Sequence, residues 1–143
     1  MYQAFNQADQ DAKTVLIVED QIEMRAINAM YLHHHGYRVL ATDNGIEGVA
    51  AARESRPDLI LMDISIPGMD GIRATEALKR DPETGDIPVL IITAHPYGSV
   101  GKRAADAGCD GYLTKPCDPR RILQEVRALV GAAVGDPQAA VHA

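Results

Sequence analysis

Residues 59–71 read LILMDISIPGMDG. Leu59, Ile60, Leu61 and Met62 form an apolar run that stops on a carboxylate, Asp63, followed by Ile64-Ser65-Ile66, a Pro67-Gly68 pair and a second acid, Asp70. A short continuous apolar run bounded by turn residues has the pattern of a strand covered on both faces, and such strands belong to parallel sheets. A carboxylate at the end of that run sits where burial works against its charge. It therefore requires a compensating partner.

Four more short runs share the character of the first: residues 15–18 (VLIV), 38–41 (RVLA), 89–92 (VLII) and 112–114 (YLT). Longer segments with helical spacing separate them. Strand and helix alternating in this way imply βαβ units and an α/β sandwich with a five-stranded parallel sheet. After the first strand, Met24, Ile27, Tyr31 and Leu32 fall on one helical face, with Gly36 as the C-terminal cap. Ile46, Val49, Ala50 and Arg53 mark a second helix that stops before Pro57, and Ile72, Thr75 and Leu78 mark a third, ended by the turn-rich DPETGDIP. The last helix spans about 119–130, with Ile122, Val126, Leu129 and Val130 inward and Asp118 and Pro119 as N-cap and first residue. The fourth is the weak one. Its segment AHPYGSVGKRAADAG carries Pro96, Gly98 and Gly101, and an interior glycine costs ~1 kcal/mol relative to alanine, so a late start or a mobile helix is expected.

The chain of 143 residues suits one compact domain, and 46% hydrophobic with 24% charged residues is an ordinary globular composition. A formal net charge of −6 without a Lys/Arg-rich run weighs against nucleic acid or an anionic membrane as partner. Cys109 and Cys117 are too few for a disulfide framework and read as a small hydrophobe and a surface thiol in a reducing compartment. The apolar runs fall far short of the roughly 20 residues of a membrane span, and residues 1–13 lack a secretory pattern. A cytoplasmic protein is expected. Residues 1–13 and 131–143 hold few large apolar groups and are expected to be disordered extensions flanking a domain at 14–130.

In a doubly wound sheet, ligands bind beyond the carboxyl ends of the strands. The first strand runs into Glu19-Asp20, the third into Asp63, the fourth into Thr93-Ala94 and the fifth into Lys115-Pro116. Adjacent first and third strands gather three carboxylates around one crevice, with a hydroxyl and an ammonium opposite. At ~5 Å and an effective dielectric of about 20, each carboxylate pair repels by about 3 kcal/mol. A hard divalent cation removes that repulsion, and Mg²⁺ with its oxygen ligands fits the set; Lys115 offsets more of the charge.

The motifs VLIVED, LILMDISIPGMDG, VLIITAH and GYLTKP, covering about 14–130, resemble the receiver domain of bacterial two-component response regulators of the single-domain, chemotaxis-regulator-like kind. The resemblance implies a flavodoxin-like (βα)5 fold with strand order 2-1-3-4-5. It implies that Asp63 accepts a phosphoryl group from a phosphohistidine on a sensor histidine kinase or histidine phosphotransfer protein. The chain then catalyses its own phosphorylation and dephosphorylation without being a conventional enzyme. Glu19, Asp20, Asp63 and the backbone carbonyl of Ser65 correspond to the Mg²⁺ ligands, with Mn²⁺ as a possible substitute. Lys115 corresponds to the lysine that pairs with the phosphoryl group, and its bond to Pro116 is cis by resemblance. Thr93 and Tyr112 correspond to the switch pair, and Ser65 and His95 to the two positions that tune phosphoryl lifetime. Pro96, directly after His95, departs from the commonest pattern. The implied output is binding of a downstream protein through the face of the fourth helix, fifth strand and fifth helix. A monomer or a phosphorylation-dependent homodimer fits, without nucleic-acid or membrane contact, and the short stretch after Val130 leads to the expectation of a single-domain regulator.

Two rival readings use the same residues. A haloacid dehalogenase-type phosphatase wants a second acid two positions after its nucleophile, where this chain has Ser65. A degenerate receiver that binds partners constitutively would keep the fold and lose the chemistry. A third possibility, flavin binding on this topology, fails because an acid-lined crevice repels a phosphate that lacks Mg²⁺. The run His33, His34, His35 invites a metal reading, but successive helical residues point ~100° apart. Its expected role is at the helix C-terminus, where protonated imidazole favours the dipole, with His35 partly buried.

Overall fold

The computed structural model describes residues 12–65 and 70–133. Residues 66–69 of the opening stretch, and most of the two terminal extensions, lie outside the described residues. The elements alternate strictly: β1 (Thr14–Val18), α1 (Ile22–His34), β2 (Arg38–Thr42), α2 (Gly45–Ser55), β3 (Leu59–Asp63), α3 (Gly71–Arg80), β4 (Val89–Thr93), α4 (Gly98–Ala107), β5 (Gly111–Thr114) and α5 (Pro119–Val130). The five strands are parallel in the order β2-β1-β3-β4-β5, as the resemblance implied.

The period of two along each strand divides the core in two. Leu16, Val18, Ile60, Met62, Val89 and Ile91 point to one face and meet Val49, Ala52, Ile72, Leu78 and Ala104 from α2, α3 and α4. Val15, Ile17, Leu59, Leu61, Leu90 and Ile92 point to the other and meet Leu32 of α1 and Ile122, Leu123 and Val126 of α5. Both faces are covered, so every residue of β3 and β4 is buried. The uninterrupted apolar runs in the sequence are the direct consequence.

Two helices differ from the expected faces. On α1, Leu32 is buried and Met24 and Tyr31 are half-buried, but Ile27 is 48% exposed and Asn28 takes the inward position at 2%. The helix carries apolar side chains on both sides, including exposed Ile22 and Met30, so spacing alone does not select a face. On α2, Ile46 is exposed and the inward residues are Gly45, Gly48, Val49 and Ala52. A Cβ on Gly48 would lie 2.8 Å from Val18 Cγ2, so this helix packs on β1 through small residues and turns its isoleucine outward.

The helix ends follow the sequence signals closely. Gly36 continues the chain out of α1 at φ 95°, and α2 stops at Ser55, with Arg56 in a left-handed conformation before Pro57. Asp118 caps α5 through its side chain, accepting from the Arg120 N–H at 2.9 Å, and Pro119 opens the helix. α4 starts late, at Gly98, with no side-chain cap. Below the sheet, Lys79 Nζ donates to the Ile87 carbonyl at 2.8 Å and pairs with Asp110 at 3.0 Å, tying α3 to the entry of β4. After α5, the Tyr37 hydroxyl donates to the Gly131 carbonyl at 2.8 Å and Ala133 is buried. Cys109 and Cys117 are free and half-buried, and burial pushes both thiols up.

The observed faces predict a contrast within α1. Leu32→Ala removes a fully buried side chain and is expected to cost about 2–5 kcal/mol. Ile27→Ala, on the exposed side, is expected to stay within about 0.5 kcal/mol. Urea denaturation of the two variants checks the assignment.

Candidate functional site

The carboxyl ends of β1, β3, β4 and β5 open onto one pocket. Glu19 follows β1 and is 2% exposed; its own N–H donates to the Thr42 carbonyl at 3.0 Å, which prolongs the β1–β2 ladder by one residue and fixes it inward. Asp20 next to it faces solvent. Asp63 is the last residue of β3, register partner of Ile92, and is 5% exposed. The carboxylate oxygens of Glu19, Asp20 and Asp63 come within 4.8 Å of one another, the spacing at which three oxygens can share one hard cation.

Lys115 closes the cluster. Its Nζ donates to Glu19 Oε1 at 2.8 Å and to Asp63 Oδ2 at 3.2 Å. The other oxygens are held by backbone: Gln21 N–H donates to Glu19 Oε2 and Ser65 N–H to Asp63 Oδ1, both at 3.2 Å. Burial pushes the Glu19 carboxyl above its ordinary range; the hydrogen bond from Lys115 opposes the shift and neighbouring Asp63 adds to it. Burial works against the Lys115 ammonium, but the hydrogen bond to Glu19 and the charges of Asp63 and Glu19 outweigh it and hold its pKa above that of a free lysine. The Lys115–Pro116 peptide is cis, and the Lys115 N–H donates to the Thr93 carbonyl at 2.7 Å.

The remaining predicted residues line the β4–α4 side. Thr93 is fully buried, and its hydroxyl oxygen accepts from the His95 N–H at 3.2 Å. The Tyr112 hydroxyl donates to the His95 carbonyl at 2.9 Å. Burial raises the Tyr112 phenol, so it stays protonated and able to donate at neutral pH. Ser65 Oγ and His95 Nε2 share a hydrogen bond at 3.3 Å across the mouth of the pocket.

His33, His34 and His35 stand away from this arrangement. His33 and His34 occupy the last turn of α1 and His35 its C-cap. The His34 and His35 rings are perpendicular, and the His35 ring packs against Tyr31.

Three residues that carry the site were not singled out from the sequence. Arg25 donates from Nη1 to the Glu19 carbonyl at 2.9 Å, bracing the acidic turn from α1. Gly71 begins α3 against the end of β3, where a Cβ would lie 2.2 Å from the Asp63 carbonyl oxygen. Tyr97 stacks edge-on against Tyr112 with centroids 5.2 Å apart, lying over Gly101, where a Cβ would fall 2.2 Å from its ring. The glycine of the MDG triplet was a readable signal for a close approach; Arg25 and Tyr97 had none.

The charge balance predicts a strong dependence between Lys115 and its partners. Lys115→Met leaves Glu19 and Asp63 facing each other without a cation. It is expected to cost about 3 kcal/mol, the lower end for a broken buried pair because Lys115 keeps some exposure. Adding Asp63→Asn in that background is expected to recover part of the loss, a non-additivity that urea denaturation of the double-mutant cycle measures.

Residues 15–127 match the family model described as the response regulator receiver domain. Among curated proteins, the chain is 42% identical over 117 residues to Protein PilH of Pseudomonas aeruginosa, covering 81% of this chain and 96% of that protein. It is 38% identical over 122 residues to the polar-differentiation response regulator DivK of Brucella anthropi, covering 85% and 98%. Among solved structures, it aligns with the receiver domain of a sensor histidine kinase from Pseudomonas aeruginosa PAO1, which has a magnesium ion coordinated in its active-site cleft. That match has a TM-score of 0.78 at 28% identity and covers 84% of this chain and 98% of the other. With the family model spanning most of its length and its fold and acid cluster in register, this chain belongs to the response regulator receiver domain family.

Proposed function

We propose that the chain is a phospho-accepting response regulator whose Asp63 takes a phosphoryl group from a phosphohistidine on a sensor histidine kinase or histidine phosphotransfer protein. The observation that carries this reading is the convergence of Glu19, Asp20 and Asp63 around an ammonium that touches two of them. Three acids and one lysine leave an excess of negative charge that suits a dication. Glu19, Asp20, Asp63 and the Ser65 carbonyl would hold Mg²⁺, or Mn²⁺ in its place. When bound, that ion supplies charge neutralisation and polarises the phosphoryl oxygens.

The residues divide the work. An Asp63 carboxylate oxygen attacks phosphorus in line while the bond from phosphorus to the donor imidazole nitrogen breaks, and the imidazole, carrying a proton on its other ring nitrogen, takes the bonding pair and leaves as a neutral ring. Lys115, already at Asp63 Oδ2, stays beside the transferred group and offsets its added charge. In dephosphorylation, water attacks phosphorus, the bond from phosphorus to the Asp63 oxygen breaks, inorganic phosphate leaves, and the Asp63 carboxylate is restored. Ser65 and His95 flank the path of that water and set the lifetime of the phosphoryl group.

The switch follows from the same charges. A phosphoryl group adds ≈ −1.5 to −2 charges and strong acceptors. Thr93 turns its hydroxyl towards them, the space it leaves admits the Tyr112 ring, and the face made by α4, β5 and α5 changes shape for a downstream protein. The protein works in the cytoplasm as a monomer, or as a homodimer formed on phosphorylation. Among the described residues, no helix is long and apolar enough to cross a membrane.

Incubation with acetyl phosphate and Mg²⁺ is expected to add one phosphoryl mass to the intact protein and none to Asp63→Asn. A gain that survives the substitution would overturn Asp63 as the acceptor, and none in the parent would favour the constitutive binding module instead. Mg²⁺ at a hundred times its dissociation constant is expected to stabilise the fold by about 2.7 kcal/mol. Thermal unfolding of Asp20→Asn should show most of that gain gone.

A further inference from the structure

We propose that Arg25 is a positioning residue that places the Asp20 carboxylate at the cation site by holding the peptide that precedes it. The three acids of the cluster are not held alike. Glu19 has one carboxylate oxygen on Lys115 Nζ and the other on the Gln21 N–H. Asp63 has one on Lys115 Nζ and the other on the Ser65 N–H. Among the described residues, the exposed Asp20 carboxylate accepts no hydrogen bond and joins no ion pair. One of its oxygens nonetheless lies within 4.8 Å of those of Glu19 and Asp63. Its place is set by the backbone that carries it.

That backbone has to leave the strand within one residue. Successive side chains of a strand point to opposite faces, so neighbours such as Glu19 and Asp20 reach one ion only where the chain turns. The ladder continues to the Glu19 N–H, on the Thr42 carbonyl at 3.0 Å, and the chain bends at Asp20. The Gln21 side chain does not cap the helix that follows. Arg25 reaches back six positions from α1, and its Nη1 donates to the Glu19 carbonyl at 2.9 Å. That carbonyl and the Asp20 N–H share one planar peptide, so holding the oxygen also aims the Asp20 Cα. The guanidinium charge is not engaged in an ion pair. Arg25 lines an open cavity of about 370 Å³ with Asp43, Asn44 and Glu47, yet pairs with neither acid among the described residues. Beside a cation site that charge opposes binding, because it repels the ion. Arg25 therefore has two effects of opposite sign on a dication, and the brace is the larger.

This inference rests on the reading of Glu19, Asp20 and Asp63 as Mg²⁺ ligands, and its test has one arm that needs no metal. The full chain, free of Mg²⁺, is followed by NMR relaxation of the backbone amides in the parent, Arg25→Met and Arg25→Lys. Met and Lys form helix about as readily as Arg, so α1 is kept, and Lys keeps the charge but loses the fork whose far nitrogen makes the bond. In both variants the order parameter at Asp20 is expected to fall from about 0.85 towards 0.6, with the amides of β1 unchanged. Titration with Mg²⁺, read from the same amide signals, is then expected to give roughly 2- to 12-fold weaker binding in Arg25→Met, the range of one hydrogen bond of ordinary net strength. In the Asp20→Asn background the same substitution should bring no further weakening. Charge alone predicts the reverse: tighter binding in Arg25→Met and parental binding in Arg25→Lys. An Asp20 amide as ordered in Arg25→Met as in the parent, tighter Mg²⁺ binding in that variant, or an equal loss in the Asp20→Asn background would each overturn the proposal. A parent that binds no Mg²⁺ removes the metal reading, and the Asp20 amide then decides by itself whether Arg25 holds the turn.

Discussion

The double contact of Lys115 with Glu19 and Asp63 is the interaction on which the site depends. Two carboxylates buried beyond nine-tenths face one another at the end of a low-dielectric sheet, and such a pair tolerates ionisation only beside positive charge. Lys115 supplies it from the position just after β5, two strands away from β3. Its backbone is anchored by the 2.7 Å hydrogen bond to the Thr93 carbonyl, which ties the turn after β5 to the end of β4. At Glu19, burial raises the carboxyl, the Lys115 hydrogen bond opposes the shift and neighbouring Asp63 adds to it. Three acids still outnumber the one ammonium, and a dication would supply the positive charge that is missing.

The fold makes this arrangement cheap to hold. In a parallel sheet with helices on both faces, the strand ends are the places where backbone can reach solvent without unpairing the ladder. Glu19 and Asp63 use them fully: one extends the β1–β2 pairing by a residue, the other ends β3, and each carboxylate accepts a backbone N–H from two residues ahead. The core then carries the energetic cost, with two apolar layers separated by strand alternation. Gly71 lets α3 begin directly against Asp63, which places the first helical turn where a side chain could not fit.

What the sequence revealed and what it withheld divide along a physical line. The strands were legible because burial on both faces leaves an unbroken apolar signature, and the chemistry was legible because Glu19, Asp20, Asp63, Thr93 and Lys115 directly follow or end those runs. The faces of α1 and α2 were not. Ile27 and Ile46 fit the helical spacing yet point to solvent, because Asn28 can be buried at the α1 face and because α2 approaches β1 closely enough to require Gly48. Contacts between loops were hidden for a different reason. The Ser65–His95 hydrogen bond joins residues thirty positions apart, and the Tyr97–Tyr112 pair depends on how α4 begins. Neither has a local pattern to read.

The same loops bear on the switch proposed for this site, which would need little energy. Thr93 and Tyr112 are already satisfied, the first accepting from the His95 N–H and the second donating to the His95 carbonyl. Turning Thr93 towards a phosphoryl oxygen exchanges one hydrogen bond for a charge-assisted one, which is roughly twice as strong. The Tyr112 hydroxyl gives up an exposed bond that water can replace at small net cost. The two arrangements would therefore differ by a few bonds exchanged, not by bonds created, which would put the balance within reach of a single added charge. A site with these groups unpaired would already be driven one way. Because each is paired, the position of the proposed equilibrium would be decided by Asp63 and by how firmly the β4–α4 segment resists.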